Sequence, residues 1–181
     1  MKLVRVILIA NVAAFFVSIG ITGLSINLNW LGIISPDVGN LIDINWVAHP
    51  GNVNPATLFS SLFLHLGIVH LSLNLLMIWY LGELDLNPVS LILVYIISGI
   101  IGNFIAILVG GIAVLGASTA VMGVLGFKFV RSRNNEVLLI ILLTIVPGVF
   151  LPGISNEAHV GGLIVGVMLG LSSRIKPALT T

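Results

Sequence analysis

The chain contains no cysteine and very little charge. Seven Lys or Arg and six Asp or Glu occur among its 181 residues, so charged residues make up 7% of the chain, against roughly a quarter in typical globular proteins. A soluble domain needs far more polar surface than this, which excludes a soluble enzyme and a disordered chain. The net charge of +1 excludes the basic field of a nucleic-acid-binding protein. The lack of cysteine excludes disulfides, thiolate metal sites and a cysteine nucleophile.

Apolar residues dominate the sequence instead. They make up 58% of the chain, and a bilayer-spanning helix needs about 20 of them in succession, or fewer inside a bundle. Residues 89–127 form one uncharged run of about twice this length, and Gly110-Gly111 within it predicts a tight hairpin. Pro147-Gly148 predicts a kink or a helix end. The sequence therefore predicts one all-α membrane domain over residues 1–181 with six transmembrane helices, at approximately 6–24, 58–81, 89–109, 112–127, 137–151 and 158–173.

The basic residues all fall on one side of such a bundle. With six spans, the N-terminus, the connection between the fourth and fifth spans and the C-terminus share that side. The connections on the other side carry Asp37, Asp43 and Glu157 and no basic residue. The positive-inside rule then predicts that both termini are cytoplasmic. The seven basic residues on the cytoplasmic side are Lys2, Arg5, Lys128, Arg131, Arg133, Arg174 and Lys176.

The N-terminal part of the chain holds the first span and one large outer loop, residues 25–57. Trp30 and Trp46 lie in this Gly- and Pro-rich loop, which predicts that it rests in the membrane interface. The first apolar run follows Lys2 and Arg5 as a secretory signal would, but it is longer than a signal core of roughly 7–15 residues. We therefore expect a retained helix. The topology suits a prokaryotic plasma membrane, and an organelle membrane is the alternative.

Four uncharged polar side chains from three spans are predicted to lie at a similar depth. We counted residues from the cytoplasmic charges, at about 1.5 Å of helix rise per residue, which puts Asn74, Ser118, His70 and His159 roughly 14 to 22 Å into the membrane. Polar groups at such depth are unfavourable and usually functional. A shared polar site is therefore expected, and independent placement of the four groups is the alternative.

These four side chains allow a limited chemistry. A serine and a histidine can act as nucleophile and general base in acyl transfer. His70 and Asn74 are four residues apart and share a helical face, from which both can donate to a developing oxyanion. His65 is about half a turn out of phase with Asn74, so we expect its side chain to point elsewhere. The alternatives are a serine that only packs and histidines that only join helices by hydrogen bonds.

Acidic residues are absent from every predicted span, which argues against a buried catalytic triad. Glu157, two residues before His159, is the nearest carboxylate and the one candidate to orient the imidazole. The sequence has no H-E-x-x-H motif either, so we predict no metal site.

Glycines supply a packing face for the last span. Gly162, Gly166 and Gly170 recur every four residues, a small-xxx-small pattern that lets helix backbones approach closely. Gly116, Ala120 and Gly123 offer a comparable face on the fourth span. Close contact of these two spans would bring Ser118 and His159 within hydrogen-bond reach.

The same residues resemble the motifs of the rhomboid intramembrane serine proteases. The segment 116–119, Gly-Ala-Ser-Thr, resembles the family's G-x-S-x nucleophile motif, and 158–162, Ala-His-Val-Gly-Gly, resembles its A-H-x-G-G motif. The segment 65–74 is similar to its H-x4-H-x3-N pattern, and 95–103 resembles its third helix. These motifs occur in the family's order over nearly the whole chain.

The resemblance implies a six-helix rhomboid-like bundle with a water-filled cavity open to the outer side. It implies that Ser118 is the nucleophile and His159 the general base, without a carboxylate. The fifth span and the loop at Pro152–Glu157 would gate and cap the cavity, and Asn103 would be structural. The other implied roles are an oxyanion hole formed by Asn74, His70 and the Ser118 backbone N–H, and supporting positions at His65 (as a partner of the outer loop), Gly116, Gly162 and Gly166.

The implied activity is hydrolysis of peptide bonds in or near transmembrane helices of single-span or multi-span membrane proteins, with no cofactor, no metal and no nucleic acid. The expected surroundings are the lipid bilayer, and the sequence does not indicate an oligomeric state. Three departures from the family pattern are Thr119 where glycine is usual, Met122 where an aromatic residue is frequent, and Asn54–Thr57 where a Trp-Arg pair is frequent. A catalytically silent protein that binds transmembrane clients is the alternative function. An unrelated transporter or channel would be expected to have charged spans, and this chain has none.

Overall fold

Seven α-helices make up almost all the regular structure that the computed structural model describes, which covers residues 2–25, 35–37, 40, 45–150 and 154–174. The predicted all-helical architecture is confirmed. Two short strands, β1 (Leu24–Ser25) and β2 (Ser35–Pro36), pair antiparallel in the connection after the first helix. The helices are α1 (Lys2–Thr22), α2 (Pro55–Ser60), α3 (Ile68–Leu81), α4 (Pro88–Gly110), α5 (Ser118–Ser132), α6 (Asn135–Phe150) and α7 (Asn156–Arg174).

The outer faces of the longer helices are apolar. By length and composition, α1 and α4 of the described helices can cross a membrane, and α3 and α6 are shorter apolar helices. Large apolar side chains point outward on each of them, with Leu108 and Val109 of α4 exposed by 68% and 75% and Phe150 of α6 by 78%. Such a surface is unfavourable in water and is expected of a bundle surrounded by lipid tails.

The predicted second span is not one continuous helix. The short helix α2 ends at Ser60, residues 61–67 are not helical, and α3 begins at Ile68. The Ser61 carbonyl accepts a hydrogen bond of 2.8 Å from the Gly116 N–H, and its hydroxyl accepts one of 2.8 Å from the Ala48 N–H. Because distant segments satisfy this backbone, the helix can break inside an apolar run, which local hydropathy does not reveal.

The helix of the predicted fourth span begins later than expected. After α4 ends, Gly111 adopts a left-handed conformation with φ 61° and donates its N–H to the Ile107 carbonyl. The chain then runs without helix to Ser118, and the Val114 N–H donates to the Ala48 carbonyl at 3.0 Å. The tight hairpin predicted at Gly110-Gly111 is therefore wrong, although the helix end there is right. The helix end considered at Pro147 is also wrong, since α6 continues through it to Phe150.

Asn54 begins α2. Its side chain accepts hydrogen bonds from the backbone N–H groups of Ala56 at 3.0 Å and Thr57 at 3.1 Å, and the Thr57 hydroxyl accepts from the Asn54 N–H. These reciprocal hydrogen bonds form a capping box. They account for the local structure of residues 54–57, the segment that replaces the family's frequent Trp-Arg pair.

Helix α5 lies at the centre of the bundle. Its residues from Thr119 to Phe127 are all buried, and a helix buried on every side must have other helices around it. Glycines of α7 contact its backbone at four-residue spacing. A Cβ atom added to Gly162 or Gly166 would collide with the carbonyl oxygen of Thr119 or Gly123, and one added to Gly170 would lie 3.1 Å from that of Phe127.

The predicted close contact between α5 and α7 is thus correct, and of the predicted face on α5 only Gly123 takes part in it, against Gly166. Ala120 faces α4, since a Cβ added to Gly99 would lie 2.9 Å from the Ala120 Cβ. Gly116 precedes the helix and faces His70 instead. The prediction assumed that the helix began before Gly116, whereas α5 begins at Ser118, so Gly116 is not part of a helical face.

We expect Gly166→Ala to destabilise the protein, because the added methyl group collides with the Gly123 carbonyl and must separate α5 from α7. Overpacking a tight core typically costs about 1–3 kcal/mol, and backbone yields less than a side chain, so we expect the upper part of this range. Thermal unfolding in detergent measures it. Gly20→Ala is the matched control, because Gly20 is helical and no atom lies within 4 Å of an added Cβ. Equal stability of the two variants would contradict the backbone contact.

Candidate functional site

Ser118 and His159 meet at the start of two helices. Ser118 is the first residue of α5, and His159 lies in the first turn of α7. The His159 Nε2 atom is 2.9 Å from the Ser118 Oγ atom, within hydrogen-bond distance. The contact lies one helical turn from the point where Gly162 touches the Thr119 backbone, so the glycine face of α7 holds the two side chains together.

The pair opens onto a cavity of about 420 Å³. Most of its lining residues are apolar, and α3 and α6 contribute about half of the lining. Both predicted donors, His70 and Asn74, belong to this lining, so the structure brings together all four predicted side chains. The remaining lining residues are Leu66, Leu73, Leu76, Met77, Ala113, Val114, Leu115, Thr119, Ile140, Leu143, Thr144, Pro147, Ile154, Ser155 and Ala158.

No carboxylate orients His159 among the described residues. Its Nδ1 atom is enclosed and has no hydrogen-bond partner there. Glu157 instead accepts a hydrogen bond from the Ser155 hydroxyl at 3.2 Å, and its side chain lies against Gly110. Glu157 as the orienting group is therefore wrong. For Nε2 to accept the serine proton, the neutral ring must carry its own proton on Nδ1.

His70 presents a donor to the same site. Its Nδ1 accepts a hydrogen bond of 3.2 Å from the Leu66 N–H, so the proton of the neutral ring is on Nε2. That atom faces Gly116, whose φ is 116°; an added Cβ would lie 2.9 Å from the His70 Nε2 and 3.8 Å from the Ser118 Oγ. Glycine is required here for both the backbone conformation and the approach of the ring.

Asn74 has a fixed amide orientation. Its Nδ2 donates to the His70 carbonyl at 2.9 Å, and because two carbonyl oxygens cannot bond to each other, the amide cannot be flipped. One N–H of the amide nitrogen is left for another acceptor. The Asn74 Oδ1 is enclosed without a partner in the described part of the chain.

The backbone at the start of α5 offers further donors. The first helical hydrogen bond runs from the Val121 N–H to the Ala117 carbonyl. The N–H of Ser118 precedes this bond and has no acceptor among the residues described. Free N–H groups are the normal condition of a helix N-terminus and can bind a negative charge.

His65 lies beside the site rather than away from it. It falls in the non-helical segment 61–67, so its predicted helical phase does not apply. Its Nδ1 pairs with the Phe63 carbonyl at 3.1 Å, and its ring lies edge-on to that of His70 with centroids 5.1 Å apart. These contacts support the His70 ring; its role as a partner of the outer loop stays a prediction.

Other predicted residues lie away from the reacting pair or outside the described residues. Asn103 is buried in α4 and does not line the cavity. The predicted cap is described only from Ile154 onward, and Trp30, Asp43, Pro152 and Lys176 lie outside the described residues. No group of three His, Asp or Glu side chains suited to a metal ion occurs among the residues described. Sequence reasoning missed Thr119 as a cavity residue, since it considered only the effect of this residue on the backbone.

The family follows from a match to a model described as "Rhomboid domain", which covers residues 53–174. The chain belongs to the rhomboid family. This confirms the resemblance inferred from the motifs, and the family is one of integral membrane proteins.

Similar proteins occur in plants and bacteria. RHOMBOID-like protein 4 of Arabidopsis thaliana is 34% identical over 66% of this chain and 34% of its own length. Rhomboid protease GluP of Bacillus subtilis is 30% identical over 60% of this chain and 24% of its own length. Rhomboid protease GlpG of Salmonella newport is 29% identical over 61% and 46% respectively. The match thus spans less than half of each of these relatives, and the bacterial ones are named as proteases.

Proposed function

We propose that the protein is an intramembrane serine endopeptidase that cleaves membrane-protein substrates in or near their transmembrane helices. The observation that carries the proposal is the 2.9 Å contact between the His159 Nε2 and the Ser118 Oγ at the edge of a cavity. A lone packing serine would not need a buried imidazole at this distance. Membership of a family that includes GluP and GlpG supports the same reaction class.

In the first half of the reaction, the Ser118 Oγ attacks the carbonyl carbon of the substrate peptide bond while the His159 Nε2 takes the hydroxyl proton. Negative charge then develops on the carbonyl oxygen. The Ser118 N–H, the His70 Nε2–H and the remaining Asn74 N–H are the proposed donors to that oxygen. They come from α5 and α3, on the side of Ser118 that Gly116 leaves open to the His70 ring.

In the second half, His159 returns its proton to the departing amine, and the peptide is left as an ester on Ser118. Water then attacks the ester carbon, which releases the carboxylic acid and restores the serine. Each step uses only neutral or singly charged forms of the dyad and requires neither metal nor cofactor. No carboxylate among the described residues is placed to stabilise the imidazolium.

The proposed substrate is a transmembrane helix that unwinds near its outer end. A regular helix satisfies its carbonyl groups internally and resists attack. Gly, Pro or polar residues weaken it, which should favour cleavage there. The apolar lining between α3 and α6 suits a segment that enters from lipid.

We further propose six membrane spans, with α2 and α3 together as the second. Contacts between helix ends support alternating directions. Lys128 at the end of α5 donates to the Asp85 carbonyl after α3, and Val4 at the start of α1 lies against Gly82. At the opposite end, Ala48 pairs with Val114. The helix ends near Lys128, Asp85 and Val4 carry the basic residues. We therefore propose that they lie on the cytoplasmic side of a plasma membrane and that the cavity faces the outside.

We expect Ser118→Ala and His159→Ala to abolish cleavage of a single-span reporter whose outer helix end contains small and helix-breaking residues. The measurement is product formation by purified protein in liposomes. Ser132→Ala, at the far end of α5, and His49→Ala, in the loop before α2, are the matched controls and should cleave as the wild type does. Cleavage by Ser118→Ala at the wild-type rate would disprove the nucleophile. Binding of the reporter without cleavage by the wild type would favour a silent client-binding protein.

Asn74→Ala should lower turnover by roughly 10²–10³, as expected for the loss of one oxyanion donor. The effect should fall on kcat, because the charge it stabilises exists only in the transition state. The exposed Ser72→Ala on the same helix is the control. An unchanged kcat for Asn74→Ala would remove this residue from the oxyanion hole.

Single cysteines test the topology cleanly, because the chain has none of its own. We expect Val53→Cys to react with a membrane-impermeant maleimide in intact cells. Glu83→Cys and Ser132→Cys should react only after permeabilisation. All three positions are exposed, so folding should be unaffected. Labelling of Ser132→Cys from the same side as Val53→Cys would contradict the six-span arrangement.

A further inference from the structure

Thr119 has a side chain whose two branches lie in different surroundings. Its methyl carbon Cγ2 is lodged at the crossing of α4, α5 and α7. A Cβ added to Gly102 would lie 2.6 Å from it, and one added to Gly162 would lie 3.1 Å from it. The methyl group therefore fills the space that the two glycines leave open. This packing fixes the rotamer of the Thr119 side chain.

The Thr119 hydroxyl opens onto the cavity. The residue is 3% exposed and belongs to the cavity lining. Its Oγ1 makes no hydrogen bond within the described residues, yet it is not one of the fully enclosed polar atoms without a partner. Side chains of a helix tilt toward its N-terminus, which here is the Ser118 end. The hydroxyl is therefore a polar group beside the nucleophile with free capacity to donate and accept.

Thr119 and the proposed side-chain oxyanion donors belong to different helices around the cavity. His70 approaches by way of Gly116, from α3. Thr119 contacts Gly162, one turn after His159 on α7. Because Thr119, Ser118 and His159 line the same cavity, a molecule held by the Thr119 hydroxyl would share that cavity with the general base.

We propose that the Thr119 hydroxyl positions the water molecule that hydrolyses the acyl-enzyme, an inference that rests on the proposed protease function. The water donates one hydrogen to the His159 Nε2 and the other to the Thr119 Oγ1, which leaves a lone pair directed at the ester carbon. Its oxygen bonds to that carbon and its proton passes to His159. The bond from that carbon to the Ser118 Oγ then breaks and the serine regains the proton, so the products are a carboxylic acid and free enzyme.

Two comparisons isolate the contribution of the hydroxyl: Thr119→Val with the wild type, and Thr119→Ser with Thr119→Ala. Thr119→Val retains the shape and the methyl contacts of the wild type and lacks only the hydroxyl. Thr119→Ser and Thr119→Ala both lack the methyl contacts and differ from each other in the hydroxyl alone. Any loss of stability from removal of the methyl group is therefore the same in Thr119→Ser and Thr119→Ala. The comparison of these two variants stays valid even if Thr119→Val folds poorly.

Two measurements, fluorophosphonate labelling and reporter cleavage, distinguish a defect in water attack from a disrupted active site. A fluorophosphonate labels Ser118 through the dyad and the oxyanion donors without water attack, and reporter cleavage requires both halves of the reaction. We expect Thr119→Val to be labelled at the wild-type rate, to cleave about tenfold more slowly and to accumulate acyl-enzyme, as the loss of one hydrogen bond implies. Thr119→Ser should cleave faster than Thr119→Ala by a similar factor.

Wild-type cleavage by Thr119→Val, or equal cleavage by the Ser and Ala variants, would overturn the proposal. A parallel loss of labelling and cleavage in Thr119→Val would also overturn it, since that result indicates a purely structural role. These results leave the protease function intact. Failure of the wild type itself to be labelled or to cleave would instead reject the protease function, and the role of Thr119 with it.

Discussion

Direct contact between the backbones of α5 and α7 is the constraint on which the rest of the site depends. Lipid tails supply no hydrophobic force between helices, so close van der Waals contact must hold them together. Gly162 and Gly166 allow this contact because neither has a side chain to separate the two backbones. The distance from His159 to Ser118 is a consequence, since both side chains lie within a turn of the crossing. A wider crossing would leave both groups in place on their helices and out of reach of each other.

Two non-helical segments position the other groups of the candidate site. The segments 61–67 and 111–117 form hydrogen bonds to each other and to Ala48, which satisfies backbone groups that have no helical partner. Segment 61–67 places the His65 ring against His70. Segment 111–117 brings Gly116 against the same ring, two residues before Ser118. The candidate site is thus built where regular structure ends, where backbone N–H groups remain free.

The unsatisfied polar atoms of the described residues are partly gathered at this site. The His159 Nδ1 and the Asn74 Oδ1 are enclosed without partners, and so is the Nε2 of His65, whose ring packs against that of His70. Buried polar groups without partners are unfavourable, and folds tolerate them mainly where chemistry requires them. The absence of a carboxylate partner for His159 among the described residues fits the same pattern, because a charged residue inside an apolar bundle would be more unfavourable still.

The sequence by itself determined the apolar helices and the identity of the four polar side chains, because hydropathy is a sum over neighbouring residues. Its motifs also indicated the rhomboid family, which the family match confirms. The tertiary structure decided where the helices break, which face of α5 meets α7, that Glu157 turns away from His159, and that the Thr119 hydroxyl reaches the cavity. Each of these depends on which distant backbone or side chain satisfies a given group. Such pairing is a property of the packed bundle and leaves no local pattern in the chain.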